Sequence, residues 1–230
     1  MDFLQLNTSE QEAIVRLRDL LARSESTSNF TFSDTTIMRF LRGKKHNEKA
    51  AYDGLKKFAL WHTENEVESI ASKLESFQKE LNKKLLTFGT REKKNRPVLY
   101  HFPHRHRANE RVLKDMTNYM IYSLTSALRL SKPEEERLVI VSYLGQFTLS
   151  CMDFECTNVF ITMLQSHYPE SLHLCLVVDA PMIFSGSWAI IRSWLDPVTV
   201  EKVKFIKRAE LSSYINEDEI PEDFKLQILP

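Results

Sequence analysis

Glycine is scarce in this 230-residue chain: there are five, Gly43, Gly54, Gly89, Gly145 and Gly186, and no two lie within ten residues of each other. That spacing excludes the glycine-rich phosphate loops, in which closely set glycines let backbone N–H groups approach a phosphate. G-x-S-x-G is absent as well, which removes a nucleophile-elbow hydrolase by that route. Cysteine is scarcer still. Cys151, Cys156 and Cys175 are too few, and odd in number, for a disulfide framework, and they fit a reducing compartment. The C-x4-C of CMDFEC is not a zinc spacing. Net charge is also missing: 31 basic residues balance 31 acidic ones, and a pI near 7.1 argues against a dedicated nucleic-acid binder. The longest apolar stretch, LCLVVDAPMIFSGSWAII, is broken by Asp179 and Pro181 and reads as strand, turn and helix rather than a membrane span. The first residues, MDFLQLNTSEQEAI, carry early acids and lack the basic-then-apolar order of a signal peptide. A soluble cytoplasmic protein is expected.

What the chain does have is enough apolar material for a full core. It is 43 % hydrophobic and 10 % aromatic, which excludes disorder over most of its length. The first third reads as helical. Ser9, with Glu12 three residues on, has the capping-box pattern, and Ala13, Leu17, Leu20 and Leu21 follow as one stripe. A second helix starts at Ser33 or Asp34 and a third near Asn47, with Gly43 as a helix stop between them. After residue 66 the pattern changes. KLLTFGT (84–90) and RPVLYHFP (96–103) read as strands, and a long helix covers about 109–130. LVIVSYL (138–144) and HLCLVVDA (173–180) are near-continuous apolar strands, each followed by a helix, at 153–167 and 184–194. Such strands alternating with helices predict an α/β fold. A helical lobe (1–66) precedes a lobe (67–230) with a mixed, mostly parallel sheet covered by helices.

Charge is unevenly placed. Residues 82–114 hold ten Lys and Arg against two acids. This stretch is either a solvated turn between strands or a contact surface for anionic membrane, where each basic residue is worth about 1 kcal/mol. Nucleic acid fits least, because the chain as a whole carries no net charge. His101, His104 and His106 read as surface histidines in this basic turn, since no further metal ligand lies nearby in sequence. Asp179, between a buried strand and a proline, reads as a turn or helix-start residue.

The segment 179–203, DAPMIFSGSWAIIRSWLDPVTVEKV, is the most informative. Phe184, Trp188, Ile191 and Leu195 follow helical spacing, but Met182, Ile183, Ala189, Ile190 and Trp194 make that helix apolar nearly all round. It is therefore either buried in a large core or exposed to something apolar. Asp196 and Pro197 then form a helix start. That start would put Thr199 and Lys202 on one face near the positive end of a helix.

This segment, with HYPESLHL before it and KFI after it, resembles the CRAL-TRIO domain and, within that family, its phosphatidylinositol-transfer branch. The shared pattern is Tyr-Pro-Glu, a strand ending in Ala-Pro, an apolar helix with Phe and Trp, then Leu-Asp-Pro-x-Thr-x-x-Lys. TTIMRFLRGKKHNEKAAYDGLKKFALWH looks like the family's N-terminal helical lobe, RPVLYHF like its first strand and EDEIPEDF like its closing segment, so the resemblance covers about residues 9–225. It implies a hydrophobic pocket holding one lipid behind a movable gate helix formed by Phe184, Trp188, Ile191, Trp194 and Leu195. It also implies a phosphatidylinositol head-group set, Lys44, Glu170, Thr199 and Lys202, with no catalytic residues, no metal and no cofactor. The expected partners are a phospholipid and a membrane surface on which the protein sits peripherally. The alternatives are a lipid-sensing adaptor and a carrier of a retinoid- or tocopherol-type ligand. The sequence departs from the family in placing Ser142 where the strand usually carries aspartate. It also has Arg137 and Val139 where phosphatidylcholine binders carry hydroxyl residues.

Overall fold

The structure, a computed structural model, describes residues 6–225. Three helices come first: α1 (Thr8–Ala22), α2 (Asp34–Gly43) and α3 (Glu48–Glu64). The caps explain their starts. Ser33 accepts the Thr36 N–H and Asn47 accepts the Ala50 N–H, where those residues were expected to begin helices. The α1 cap differs from expectation. Asn7, not Ser9, is the N-cap, and its capping-box partner is Glu10, not Glu12. The earlier register lets Glu10 turn inward, where its carboxylate takes Arg42 Nε at 2.7 Å and lies 3.1 Å from His46 Nε2. Leu20, expected in the buried stripe, is 50 % exposed, and Ile14 takes its place in the core.

A 3-10 run (Val67–Phe77) and a short helix α4 (Gln78–Lys83) lead into the sheet. The strands are β1 (Leu86–Arg91), β2 (Pro97–His101), β3 (Leu138–Tyr143), β4 (Leu172–Val178) and β5 (Val203–Ile206). They lie side by side in chain order, β1 antiparallel to β2 and every later pair parallel. The expectation of a mixed, mostly parallel sheet is met. Helices α5 (Leu113–Arg129), α6 (Phe154–His167), α7 (Phe184–Ser193) and α8 (Pro197–Glu201) fall between the later strands, and α9 (Glu222–Lys225) ends the described chain. Helix α5 begins four residues later than the spacing predicts because Ala108–Glu110 forms a separate 3-10 turn.

Side chains alternate across each strand, so the sheet has two chemically separate faces. One face presents Val98, Tyr100, Val139, Val141, Leu176 and Val178, which pack with Leu211, Ile215 and Phe224 from the C-terminal segment. Above the other face lie α5 and α6. Their core runs without a break into the N-terminal helices: Leu17, Ile37, Phe40 and Leu55 belong to one cluster with Leu99, Leu124, Ile140 and Met163. Full burial of a side chain such as Leu17 is worth about 1.5–3 kcal/mol.

Two further features tie α2 to the sheet. Arg39, 2 % exposed, bonds Glu136 through Nε at 2.9 Å and the Pro169 carbonyl and Ser171 hydroxyl through Nη1 at 3.2 and 3.0 Å. Gly43 lets the end of α2 come against the 169–170 turn: a Cβ there would stand 2.9 Å from Pro169 Cβ. Glu170, in that turn, has the left-handed φ of 60°.

Candidate functional site

A cavity of about 820 Å³ lies over the helix-covered face of the sheet. Its floor is one set of alternating strand positions: Leu99 and His101 on β2, Ile140 and Ser142 on β3, Cys175 and Val177 on β4, and Val203 on β5. Phe160, Ile161 and Leu164 of α6 form a wall, and Phe184, Trp188 and Ile191 of α7 form a cover. The period of two that builds a strand thus lines the floor, and the period of 3.6 that builds a helix lines the wall.

Helix α7 resolves the two readings of its apolar sequence. It is not a core helix, since only Phe184 and Ser187 are buried. Phe184, Trp188, Ile191, Trp194 and Leu195 all line the cavity, while Met182 is 92 %, Ile183 52 % and Ile190 46 % exposed. Its inner side packs with Leu144, Phe147, Cys151 and Val177, with Phe184 and Phe147 ring centroids 5.2 Å apart; Trp188 meets Phe205 at 5.2 Å, and just past the helix Trp194 meets Phe154 at 6.0 Å and its carbonyl accepts from Gln165 Nε2 at 3.2 Å.

At one end the cavity opens among polar groups. Glu170, Thr199 and Lys202 come together there, and Lys202 Nζ stands 3.4 Å from a Glu170 carboxylate oxygen. Helix α8 starts where the sequence predicts, with Asp196 as cap and Pro197 at its first position, but it is only five residues long and Lys202 is already its C-cap. Lys202 therefore does not sit at the positive end of a long helix. The Thr199 hydroxyl donates to Asp196 at 2.6 Å, and the Thr199 N–H is taken by the same carboxylate. Lys44, the C-cap of α2, also lines the cavity, but its Cε lies against Gly54 of α3 and it bonds none of the other three. Arg137, which the sequence reading did not place in the head-group set, reaches Glu170 twice: Nη2 is 3.5 Å from the carboxylate and Nε donates to the backbone carbonyl at 3.2 Å. Burial lowers the Arg137 pKa, and Glu170 and Glu135 oppose that shift. The pairing follows from register, since Leu138 lies opposite Leu172, and it could be read from sequence only once β3 and β4 were known to be neighbours.

The far end of the cavity holds groups that were expected on the surface. His106 is 4 % exposed, with Nε2 2.9 Å from Asp153, and Arg111 Nε donates to the same carboxylate at 2.8 Å. Burial opposes the Asp153 charge, but bonds from Arg111, the Cys156 N–H and His106 outweigh it and hold the carboxyl below its usual range. Nonlocal packing also brings to His106 what sequence proximity did not: donor atoms of His106, Asp153 and Cys156 lie within 4.8 Å of one another. With the Arg111 guanidinium on Asp153, this group has the charge balance of a buried ion pair, and burial pushes the Cys156 thiol up to about 12. His101 Nδ1 lies 3.0 Å from the Ser142 hydroxyl. Asp179, at a turn as expected, accepts from the Arg208 N–H and Nε rather than from a histidine.

The basic stretch 82–114 is largely spent inside the molecule. Lys83 pairs with Glu80, Arg96 with Glu92 and Glu135, Arg105 with Asp223, and Arg111 with Asp153 and Glu155. Arg91 and Arg107 bond backbone carbonyls. Among the described residues, no helix is long and apolar enough to cross a membrane.

Residues 81–225 match the CRAL/TRIO domain. A CRAL-TRIO domain-containing protein of Schizosaccharomyces pombe is 34 % identical over 83 % of this chain and 45 % of its own length. A phosphatidylinositol transfer protein of Eremothecium gossypii is 27 % identical over 83 % of this chain and 46 % of its own. The chain thus spans about half the length of these curated relatives. The crystal structure of Sfh5 superposes with a TM-score of 0.71 at 16 % identity, covering 91 % of this chain and 84 % of that one, which is a likeness of fold.

Proposed function

The chain belongs to the CRAL/TRIO domain family, and we propose that within it this protein binds one lipid, phosphatidylinositol, and carries it between membranes rather than catalysing a reaction. The observation that carries this reading is the cavity: about 820 Å³, mostly apolar on floor, wall and cover, with Glu170, Thr199 and Lys202 gathered at one end. A space of that size and lining suits acyl chains. The rim suits a head group, with a lysine ammonium for a phosphate and a carboxylate for hydroxyl donors. Arg137 adds a second cation beside Glu170, and Lys44 is a further point charge on the cavity lining. Two relatives named as phosphatidylinositol transfer proteins, one from Eremothecium gossypii and one from Saccharomyces cerevisiae, favour this lipid.

In this reading α7 is the gate. Its inner face lies on the lipid, and its outer face, with Met182, Ile183 and Ile190, enters a bilayer when the cover swings away. The protein then works at membrane surfaces without spanning them. The paired state of Arg96, Arg105 and Arg111 favours apolar contact through α7 over electrostatic docking of the 82–114 stretch. Organic extraction and mass spectrometry of protein purified from cells test the proposal, and phosphatidylinositol at close to one per chain is expected. Lipid-free protein from several hosts would overturn it. A vesicle-to-vesicle exchange assay separates a carrier from a sensor, because a sensor binds without exchange.

A further inference from the structure

His101 and Ser142 stand out on the cavity floor because their neighbours there, Leu99, Ile140 and Val177, are apolar. They are directly paired in the β2–β3 register, so both side chains come from adjacent strands to one spot. Their mutual bond uses His101 Nδ1. His101 Nε2 has no hydrogen-bond partner among the described residues. The residue lies deep in the fold, yet it and Ser142 both keep accessible surface, and the space they line is the cavity. Burial, with His106 and His104 nearby, pulls the His101 pKa down to about 4, so the ring is neutral at physiological pH.

A neutral imidazole with one bare nitrogen, set in an apolar chamber, incurs a desolvation penalty if that nitrogen finds no partner. The neighbouring serine hydroxyl can be donor or acceptor, and the imidazole tautomer follows it. The pair can therefore receive either end of a hydrogen bond, and it has no charge with which to hold an anion. Its place relative to the rim follows from sheet geometry. Val203, next to Lys202, is aligned with Cys175, Ile140 and Leu99. Ser142 is two residues along and two strands across from Val203, about 12 Å away, and His101 is one strand further, about 16 Å away. A lipid whose head group sat at Lys202 would reach this pair with the body of its hydrophobic part.

We propose that His101 and Ser142 form an inner polar subsite that hydrogen-bonds an uncharged oxygen carried on the hydrophobic part of the ligand. Two sources supply such an oxygen: an oxygenated acyl chain on the lipid whose head group is at the rim, or the hydroxyl of a separate lipid alcohol. The first rests on the phosphatidylinositol reading above; the second does not.

The test is competition loading from vesicles, with the bound lipids quantified by mass spectrometry. One arm offers stearoyl and hydroxystearoyl phosphatidylinositol in equal amounts. The other offers cholesterol and cholestane, which differ by the hydroxyl. The parent is expected to enrich the hydroxyl-bearing member of at least one pair by about five- to tenfold, the scale of one net hydrogen bond. His101→Leu should abolish the enrichment, Ser142→Ala should weaken it, and His101→Gln should restore part of it. Enrichment in the first arm identifies the oxygenated chain, and in the second the alcohol. If no phosphatidylinositol loads but cholesterol is enriched through His101, the subsite stands and the head-group reading falls. Parent protein that enriches neither hydroxyl lipid, or variants that enrich them equally well, would show that only water fills this corner.

Discussion

Replacing Lys202 by alanine separates binding from folding. Lys202 Nζ pairs with Glu170 at 3.4 Å, and their side chains are 19 % and 26 % exposed. A pair of that kind is worth about 0–1 kcal/mol. Glu170 keeps Arg137 when the lysine is lost, so no isolated carboxylate is stranded. The melting temperature should fall by no more than about 4 °C, since 1 kcal/mol shifts a domain of this size by about 2–4 °C. In the proposed complex with phosphatidylinositol the ammonium would make a charge-assisted contact to phosphate, worth about 1.5–3 kcal/mol. Its loss should lower affinity about ten- to a hundredfold, at 1.4 kcal/mol for each factor of ten. The assay is equilibrium loading from vesicles over a range of phosphatidylinositol content, with circular dichroism on the same samples. A variant that keeps its melting temperature and loads phosphatidylinositol like the parent would refute the placement of the phosphate at Lys202.

Three other outcomes follow from the same geometry. Glu10 is held at a pKa of about 2, against 4.5 ordinarily, chiefly by its bond from Arg42, with His46 and the Asn7 N–H adding to it and burial opposing. A depressed carboxyl pKa stabilises the fold above pH 4.5 and loses that effect as pH falls toward 2, so thermal melts of Glu10→Gln should be flatter than the parent's over that window and lower by about 1.5–3 kcal/mol at neutral pH. Gly43→Ala forces a Cβ to within 2.9 Å of Pro169; it should cost about 1–3 kcal/mol in denaturant titrations and weaken phosphatidylinositol loading through the displaced Glu170 turn. Replacing Met182 and Ile183 with glutamate on the exposed side of the cover should abolish flotation with vesicles at high salt, while single changes at Lys93 or Lys94 should not; unaltered flotation of the double variant would remove α7 from the membrane contact.

Helices and strands with local signals were legible in the sequence. Ser33, Asn47 and Asp196 cap where capping chemistry predicts, and the apolar runs of β3 and β4 are the strands they resemble. What escaped was set by long-range contact. The four-residue β5 alternates Lys204 with exposed Phe205, too short a pattern to show as a strand without its partner β4. The histidines of HFPHRH read as exposed because their surroundings, Ser142 and Asp153, come from 41 and 47 residues away. Arg137 joined Glu170 only through parallel register. The head-group candidates divide in the same way: Thr199 and Lys202 share a short local helix, Glu170 joins Lys202 by an ion pair, and Lys44 caps the end of α2 without bonding the other three.

The two faces of the sheet have a consequence for how such a protein can change its cargo. Leu99, Ile140, Cys175 and Val177 touch the cavity, whereas Val98, Val139, Val141, Leu176 and Val178, their immediate neighbours in sequence, pack on the C-terminal segment. Every second residue of a strand can therefore drift with the ligand while the residues between keep the sheet seated on its far support. Binding preference and fold are written in interleaved letters, and a lineage can revise one set without erasing the other.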